Sequence, residues 1–206
     1  MAIQAQTAEE KTLGPKGEAT RARLLAAAEE VFGEVGFDRA SVSEITRRAG
    51  VAQGTYYLYF SSKREIFSEL VRQIGRNLRR HIQQTVSGLE KRKDIEREGF
   101  RAFFAFVREH PAMYRIVRQA EFVDREAFRD YYESFATGYV EGLKRSKDVR
   151  NLDPEVVAWC VMGMGDLLGI RWILFHEDGE VPDKVLDTMI ELISEGFIRG
   201  SEPASG

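Results

Sequence analysis

SVSEITRRAGVAQGTYYLYFSSK, residues 41–63, decides how this chain folds. Ser41 followed by Glu44 has the spacing of a capping box, so a helix opens there with Val42 and Ile45 turned inward. Gly50 closes it. Lacking a Cβ, it can take the left-handed conformation that ends a helix, and small Ala49 beside it lets the next helix approach steeply. A second short helix is predicted from about Ala52 to Phe60, with Tyr56 and Phe60 inward. It carries too few apolar residues to be stable alone and must be held by its neighbours. Gln53, Thr55, Tyr57, Leu58 and Tyr59 remain, the side-chain types that bond phosphates, touch thymine methyls or read base edges. Ser62 with Glu65 forms another capping box. Lys63, in the first turn of that helix, is poorly placed for the helix dipole but well placed for a phosphate.

These residues resemble the tetracycline-repressor (TetR) family of bacterial transcription regulators. The family pattern is met by Gly36, Phe37, Ser41, Ala49, Gly50, Val51, Gly54, Thr55, Tyr57, Tyr59, Phe60, Ser62 and Lys63. Ala52 departs from it, since the family usually has a capping serine or threonine there. The likeness covers about residues 20–67; beyond that the family shares helices, not sequence. It implies a DNA surface of Arg21, Ser41, Ser43, Gln53, Thr55, Tyr57, Leu58, Tyr59 and Lys63. Within that set Gln53 is the best base contact and Ser43 a weaker one, while Tyr57 and Lys63 hold phosphates.

Working outward, residues 1–18 mix polar residues with Gly and Pro and read as a flexible arm. A helix over 20–35 follows, with Leu24, Ala28, Val31, Phe32 and Val35 on one stripe and Arg21 and Arg23 as candidate phosphate contacts. From Ser62 a long helix carries Ile66, Leu70, Ile74, Leu78, Ile82 and Val86 inward and Arg72, Arg76, Arg79 and Arg80 outward, a rigid lever between two domains. After the charged break at 91–94 an aromatic helix runs to about Glu109. Pro111 is an early residue of the next helix, and Asp124 caps a helix through Leu143. Helices over 153–175 and 184–199 complete an all-α chain of about nine helices. The expected organisation is an arm (1–18), a three-helix DNA-binding domain (19–65), a ligand-binding and dimerisation domain (66–200) and a tail (201–206).

The net charge is −3, unevenly placed: residues 121–206 hold 18 acids and 9 bases, whereas residues 1–120 hold 15 acids and 21 bases. The basic half carries the helix-turn-helix. A single cysteine, Cys160, excludes an internal disulfide framework and suits a reducing cytoplasm. No apolar run is read as reaching the roughly 18–20 residues of a membrane span, so no membrane partner is expected. His81, His110 and His176 are far apart and no hydrolase, metal or phosphate-loop motif is present. The expectation is therefore no enzyme, no metal and no cofactor.

Aromatic residues crowd the helices between 94 and 143. Most are core, but large rings among helices leave apolar cavities. Phe103, Tyr114, Arg118, Tyr131, Phe135, Tyr139, Met162 and Asp166 are the expected effector-pocket residues. The helix at 158–175 is apolar nearly all round. Its glycines suggest close approach of another backbone, so it and the last helix read as half of a dimeric four-helix bundle through Gly165, Gly169, Trp172, Met189, Leu192 and Ile193.

Three functions compete. The favoured one is a homodimeric repressor of palindromic operator DNA, released by a small hydrophobic effector; an acyl-CoA or an aromatic-acid thioester is one candidate. The second is a structural or partner-regulated DNA-binding protein on the same fold without such an effector. The third, an enzyme with a vestigial helix-turn-helix, is disfavoured by the intact basic reading head.

Overall fold

The computed structural model describes residues 14–175 and 179–196, and every regular element among them is helical. The helices are α1 (Pro15–Arg39), α2 (Val42–Ala49), α3 (Gln53–Tyr56), α4 (Lys63–Val86), α5 (Arg92–Glu109), α6 (Met113–Val123), α7 (Arg125–Arg145), α8 (Pro154–Gly169) and α9 (Asp183–Gly196). A π-helical turn, Ile170–Leu174, prolongs α8.

Their limits follow from local chemistry. Proline opens α1 and α8 at the first turn, where its missing N–H costs nothing. Asp153 caps α8, and Asp124 caps α7 by accepting from the amides of Glu126 and Ala127. Asp124 also accepts from the Ser68 hydroxyl at 2.5 Å, which pins the start of α7 to α4. Gly36, at φ 76°, breaks the helical path inside α1 just before Phe37 turns into the core.

One apolar core runs without interruption from α1 to α7. Leu24, Phe32, Tyr56, Phe67 and Leu70 share it with Val107, Ile116 and Tyr131. A second, smaller core joins Phe100, Phe104, Val161, Leu186, Met189, Ile190 and Ile193 where α5, α8 and α9 meet. At 1.5 Å per residue, the 24-residue α4 spans about 36 Å and connects the reading head to the body.

Several expectations are corrected. Helix α1 begins at Pro15, so residues 15–18 are helical; residues 1–13 lie outside the described residues. Helix α3 is a single turn, and the chain from Tyr57 to Phe60 continues in tight turns. Pro111 sits in a turn before Met113. Contrary to the expectation of no such run, the stretch from Pro154 to Leu174 is long and apolar enough, by length and composition alone, to cross a membrane. His176 and the end of the last predicted helix, 197–199, lie outside the described residues.

The largest correction concerns the glycines of α8. Gly165 and Gly169 are buried inside their own chain: a Cβ on Gly165 would lie 2.7 Å from the Phe100 ring, and one on Gly169 would lie 2.0 Å from the Tyr114 hydroxyl. They admit α5 and α6, not a partner. Met189 and Ile193 are likewise internal, and Trp172 is half-buried. Of the expected residues Leu192 does face outward, and the stripe that α8 and α9 expose with it is Val156, Trp159 and Leu167, continued by Leu174 and Phe175.

The Tyr114 hydroxyl donates to the Asp166 carbonyl at 3.2 Å across bare Gly169. Gly169→Ala is expected to displace it and cost about 1–3 kcal/mol through overpacking and a lost hydrogen bond. Urea denaturation of Gly169→Ala, Tyr114→Phe and the double variant measures this, with the double variant losing less than the sum of the singles.

Candidate nucleic-acid interface and effector core

The reading head is built from caps. The Ser41 hydroxyl accepts from the Glu44 amide at 3.2 Å, and Gly50 closes α2 at φ 64°, ψ 40°. Arg23 reaches across from α1: its Nε donates to the Ala49 carbonyl at 3.1 Å and its Nη2 to the Gly50 carbonyl at 2.9 Å. Arg23 is thereby a C-cap of α2, not a free phosphate ligand. Buried Tyr56 donates its hydroxyl to the Ser62 carbonyl at 3.0 Å and ties α3 to the start of α4. Burial pushes its phenol well above the ordinary range, so it remains a donor.

Lys63 is the main departure from expectation. Its ammonium donates to the carbonyls of Phe37 at 2.7 Å, Ala40 at 2.8 Å and Asp38 at 3.2 Å, and lies 4.5 Å from the centre of the Phe37 ring. An ammonium has three donors, and all are engaged. In place of a phosphate, Lys63 holds the end of α1. Arg21 is also engaged, paired with Glu69 at 3.1 Å and set over the Phe60 ring.

The surface left open is narrower than expected. Leu58 is 80% exposed and Tyr57 52%, beside exposed Gln53, Ser41 and Ser43. Thr55 and Tyr59 are half-buried, with Tyr59 against the core. Sequence reasoning passed over the arginines of α2. Arg47 makes a two-pronged bond to Glu44 at 2.9 and 2.7 Å, and Arg48 bridges Glu44 at 2.8 Å to Glu34 at 2.7 and 2.6 Å. Hydrogen bonds from Arg47 and then Arg48 hold the Glu44 carboxyl down at about 2. Because its folded value lies below the ordinary one, that network is complete at neutral pH and is lost as pH falls toward 2.

The head is fixed to the body through α6. Gln119 accepts from the Phe37 amide at 2.8 Å, Arg115 donates to the Glu34 carbonyl at 2.8 Å, and His110 Nδ1 meets a Glu29 carboxylate oxygen at 3.1 Å. Gly33 permits this: a Cβ there would stand 2.5 Å from the Ala112 methyl. Paired glycines near the end of α1 were the available sequence signal.

The expected effector residues separate into two groups. Tyr114, Tyr131 and Asp166 come together where α6, α7 and α8 meet, with Arg118 beside them. Phe103 and Phe135 are half-buried against the core, and Met162 on α8 is half-buried. Tyr139 belongs elsewhere, donating to Glu96 beneath the Arg92 guanidinium in a buried ion pair, so its hydroxyl is not open to a ligand. The other rings pack against the main core. Two surface hollows, of about 430 Å³ beside Arg21, Arg64 and Asp124 and about 200 Å³ beside Arg101, Ile173 and Val181, take in none of the expected pocket residues.

Residues 24–70 match the family model described as bacterial regulatory proteins, tetR family. The chain is 33% identical over 168 residues to the HTH-type transcriptional regulator YdgC of Bacillus subtilis, covering 77% of this chain and 84% of that one. It is 37% identical over 73 residues to the fatty acid metabolism regulator protein of Bacillus subtilis, 34% of this chain and 38% of that one. Among solved structures, the fatty acid degradation regulator FadR from Bacillus halodurans superposes with a TM-score of 0.75 at 21% identity, over 90% of this chain and 98% of that one.

Lys63→Met is expected to destabilise the protein by about 1.5–3 kcal/mol, the scale of hydrogen bonds to a charged group, and so to lower the thermal midpoint in the absence of DNA. A pure phosphate ligand would leave that midpoint unchanged.

Proposed function

The chain belongs to the TetR family of bacterial regulatory proteins, and on that premise we propose that it is a homodimeric repressor of palindromic operator DNA, released in the cytoplasm by a small hydrophobic effector. The observation that carries the DNA half is the braced reading head: Gln53, Tyr57 and Leu58 stand open on α3 and the turn after it, between the end of α2, held by Arg23, and the start of α4, held by Tyr56 and Lys63. Such a surface reads bases with few side chains while its frame stays fixed. Gln53 is the base contact, and Tyr57 reaches a phosphate.

The dimer reading rests on the outward stripe of α8 and α9. Leu167 at 67% and Phe175 at 70% exposure continue Val156, Trp159 and Leu192 in an apolar face that water leaves unfavourably wet. A two-fold pair closed through it matches half-sites at least one helical turn, roughly 34–36 Å, apart.

The effector reading draws on the aromatic core and on the two relatives named for fatty-acid regulation. An acyl chain or aromatic ring with a polar head suits that lining. Release requires the effector to bind the DNA-incompetent state better, and a thousandfold loss of operator affinity corresponds to about 4 kcal/mol of coupling. Helix α4 and the α1–α6 contacts are the available route. That neither described hollow takes in an expected pocket residue favours a second reading, a partner-regulated protein of the same family without a small effector.

Gln53→Ala is expected to cost about 1–3 kcal/mol on the operator and to narrow the gap to random duplex; equal loss on both in fluorescence titrations removes it from base readout. Leu167→Glu is expected to give a monomer in analytical ultracentrifugation, and a wild-type protein that is monomeric at micromolar concentration refutes the interface.

A further inference from the structure

Arg79 does not behave as its sequence position suggested. Of the arginines along α4, Arg76 pairs with Glu69 and Arg72 with Asp130; among the described residues no carboxylate pairs with Arg64, Arg79 or Arg80, and of these three only Arg79 is half-buried. It folds back over Gly75. The space that a Cβ on Gly75 would need is held by the Tyr131 ring at 3.0 Å and the Arg79 guanidinium at 3.1 Å, so the two meet above bare backbone. Tyr131 stands edge-on to Tyr132 at 5.0 Å, and Tyr132 stacks on Trp159 at 6.3 Å. Beyond them the Tyr114 hydroxyl rests on the Asp166 carbonyl. Four helices thus set Tyr131 within reach of both Arg79 and Asp166, with Arg118 facing Asp166 and the phenols of Tyr114 and Tyr132 beside them.

We propose that this cluster seats the head of the effector and that the head is a free carboxylate bound by Arg79. The inference rests on the reading of the chain as an effector-released regulator. A guanidinium offers a carboxylate parallel, charge-assisted bonds that neither an alcohol nor an ester can match. An ammonium head would instead meet an uncompensated positive charge. Burial without an acid partner draws the Arg79 pKa down, so an arriving anion relieves a standing cost. Asp166 does not cancel this: burial pushes its carboxyl up toward the neutral form, and Arg118 is the cation that faces it. The remaining charges nearby, Arg76 and Glu121, belong to exposed residues, and Arg76 is already paired. The tail of such a ligand lies among the rings near Phe103 and Phe135, which pack against the core.

The test is calorimetric and fluorescence titration of the full chain with dodecanoate, dodecanol, dodecylamine and dodecanoyl-CoA, with operator release measured in parallel. Dodecanoate is expected to bind and release operator. Arg79→Gln is expected to weaken dodecanoate at least tenfold and leave dodecanol unchanged, and Arg79→Lys to recover part of the loss. Equal dodecanoate affinity in wild type and Arg79→Gln overturns the role of Arg79. Binding of dodecylamine or dodecanoyl-CoA in preference to dodecanoate overturns the carboxylate head while sparing the effector reading, and it needs no variant to be seen. If none of the four binds or releases operator, both fall.

Discussion

A helix that ends against other elements leaves its last carbonyls without intrahelical partners, and those groups must be satisfied from outside. At the end of α1 this demand organises the molecule. Lys63, the first residue of α4, answers it with three bonds, and Arg115 of α6 adds one to the Glu34 carbonyl on the other side, where Gln119 also accepts from the Phe37 amide. Residues 33–40 are consequently held by both elements that run into the body. The position of α2 then follows, because Arg23 of α1 binds the carbonyls where α2 ends.

This arrangement makes the reading head a dependent structure. Helix α3 is one turn long and has no side-chain cap, so its conformation is borrowed from Tyr56, buried beneath it and bonded to Ser62. Small displacements of α6 reach α1 with little loss, since the Gly33–Ala112 and Gly36–Gln119 contacts have no slack to absorb them. The same tightness recurs where Tyr114 presses on Gly169, which joins the opposite edge of α6 to α8.

Much of this was legible in the sequence. The capping boxes at Ser41 and Ser62, the left-handed Gly50, the inward Tyr56 and Phe60 and the Asp124 cap are local patterns whose meaning does not depend on distant residues. Failures came where a residue's role depends on what tertiary structure sets opposite it. Lys63 read as a phosphate ligand because its partners, Phe37 to Ala40, lie far back in the chain. The α8 glycines correctly announced close approach, but nothing local says whether the visitor is a partner helix or Phe100 and Tyr114. Arg79 fell on the solvent side of a helical stripe, yet a glycine one turn earlier lets it fold into the α4–α7 seam. Tyr139 looked like its aromatic neighbours until buried Arg92 and Glu96 came to lie beside it.

That last trio bears on how such a chain can diverge. Arg92 and Glu96 are each about 3% exposed, bonded to one another and to Tyr139, with Arg92 also donating its amide to Asp148 at 2.9 Å. Removing one member strands the other's charge, which costs about 3–5 kcal/mol from a total stability of about 5–15 kcal/mol. Replacing the pair together by apolar residues of similar volume is close to neutral. Single substitutions at these positions therefore lead through an intermediate that has lost a large share of its stability, while the concerted change does not. The trio is an evolutionary ratchet: once assembled, it resists loss because each member is costly to remove alone, whatever ligand or operator the rest of the protein comes to serve.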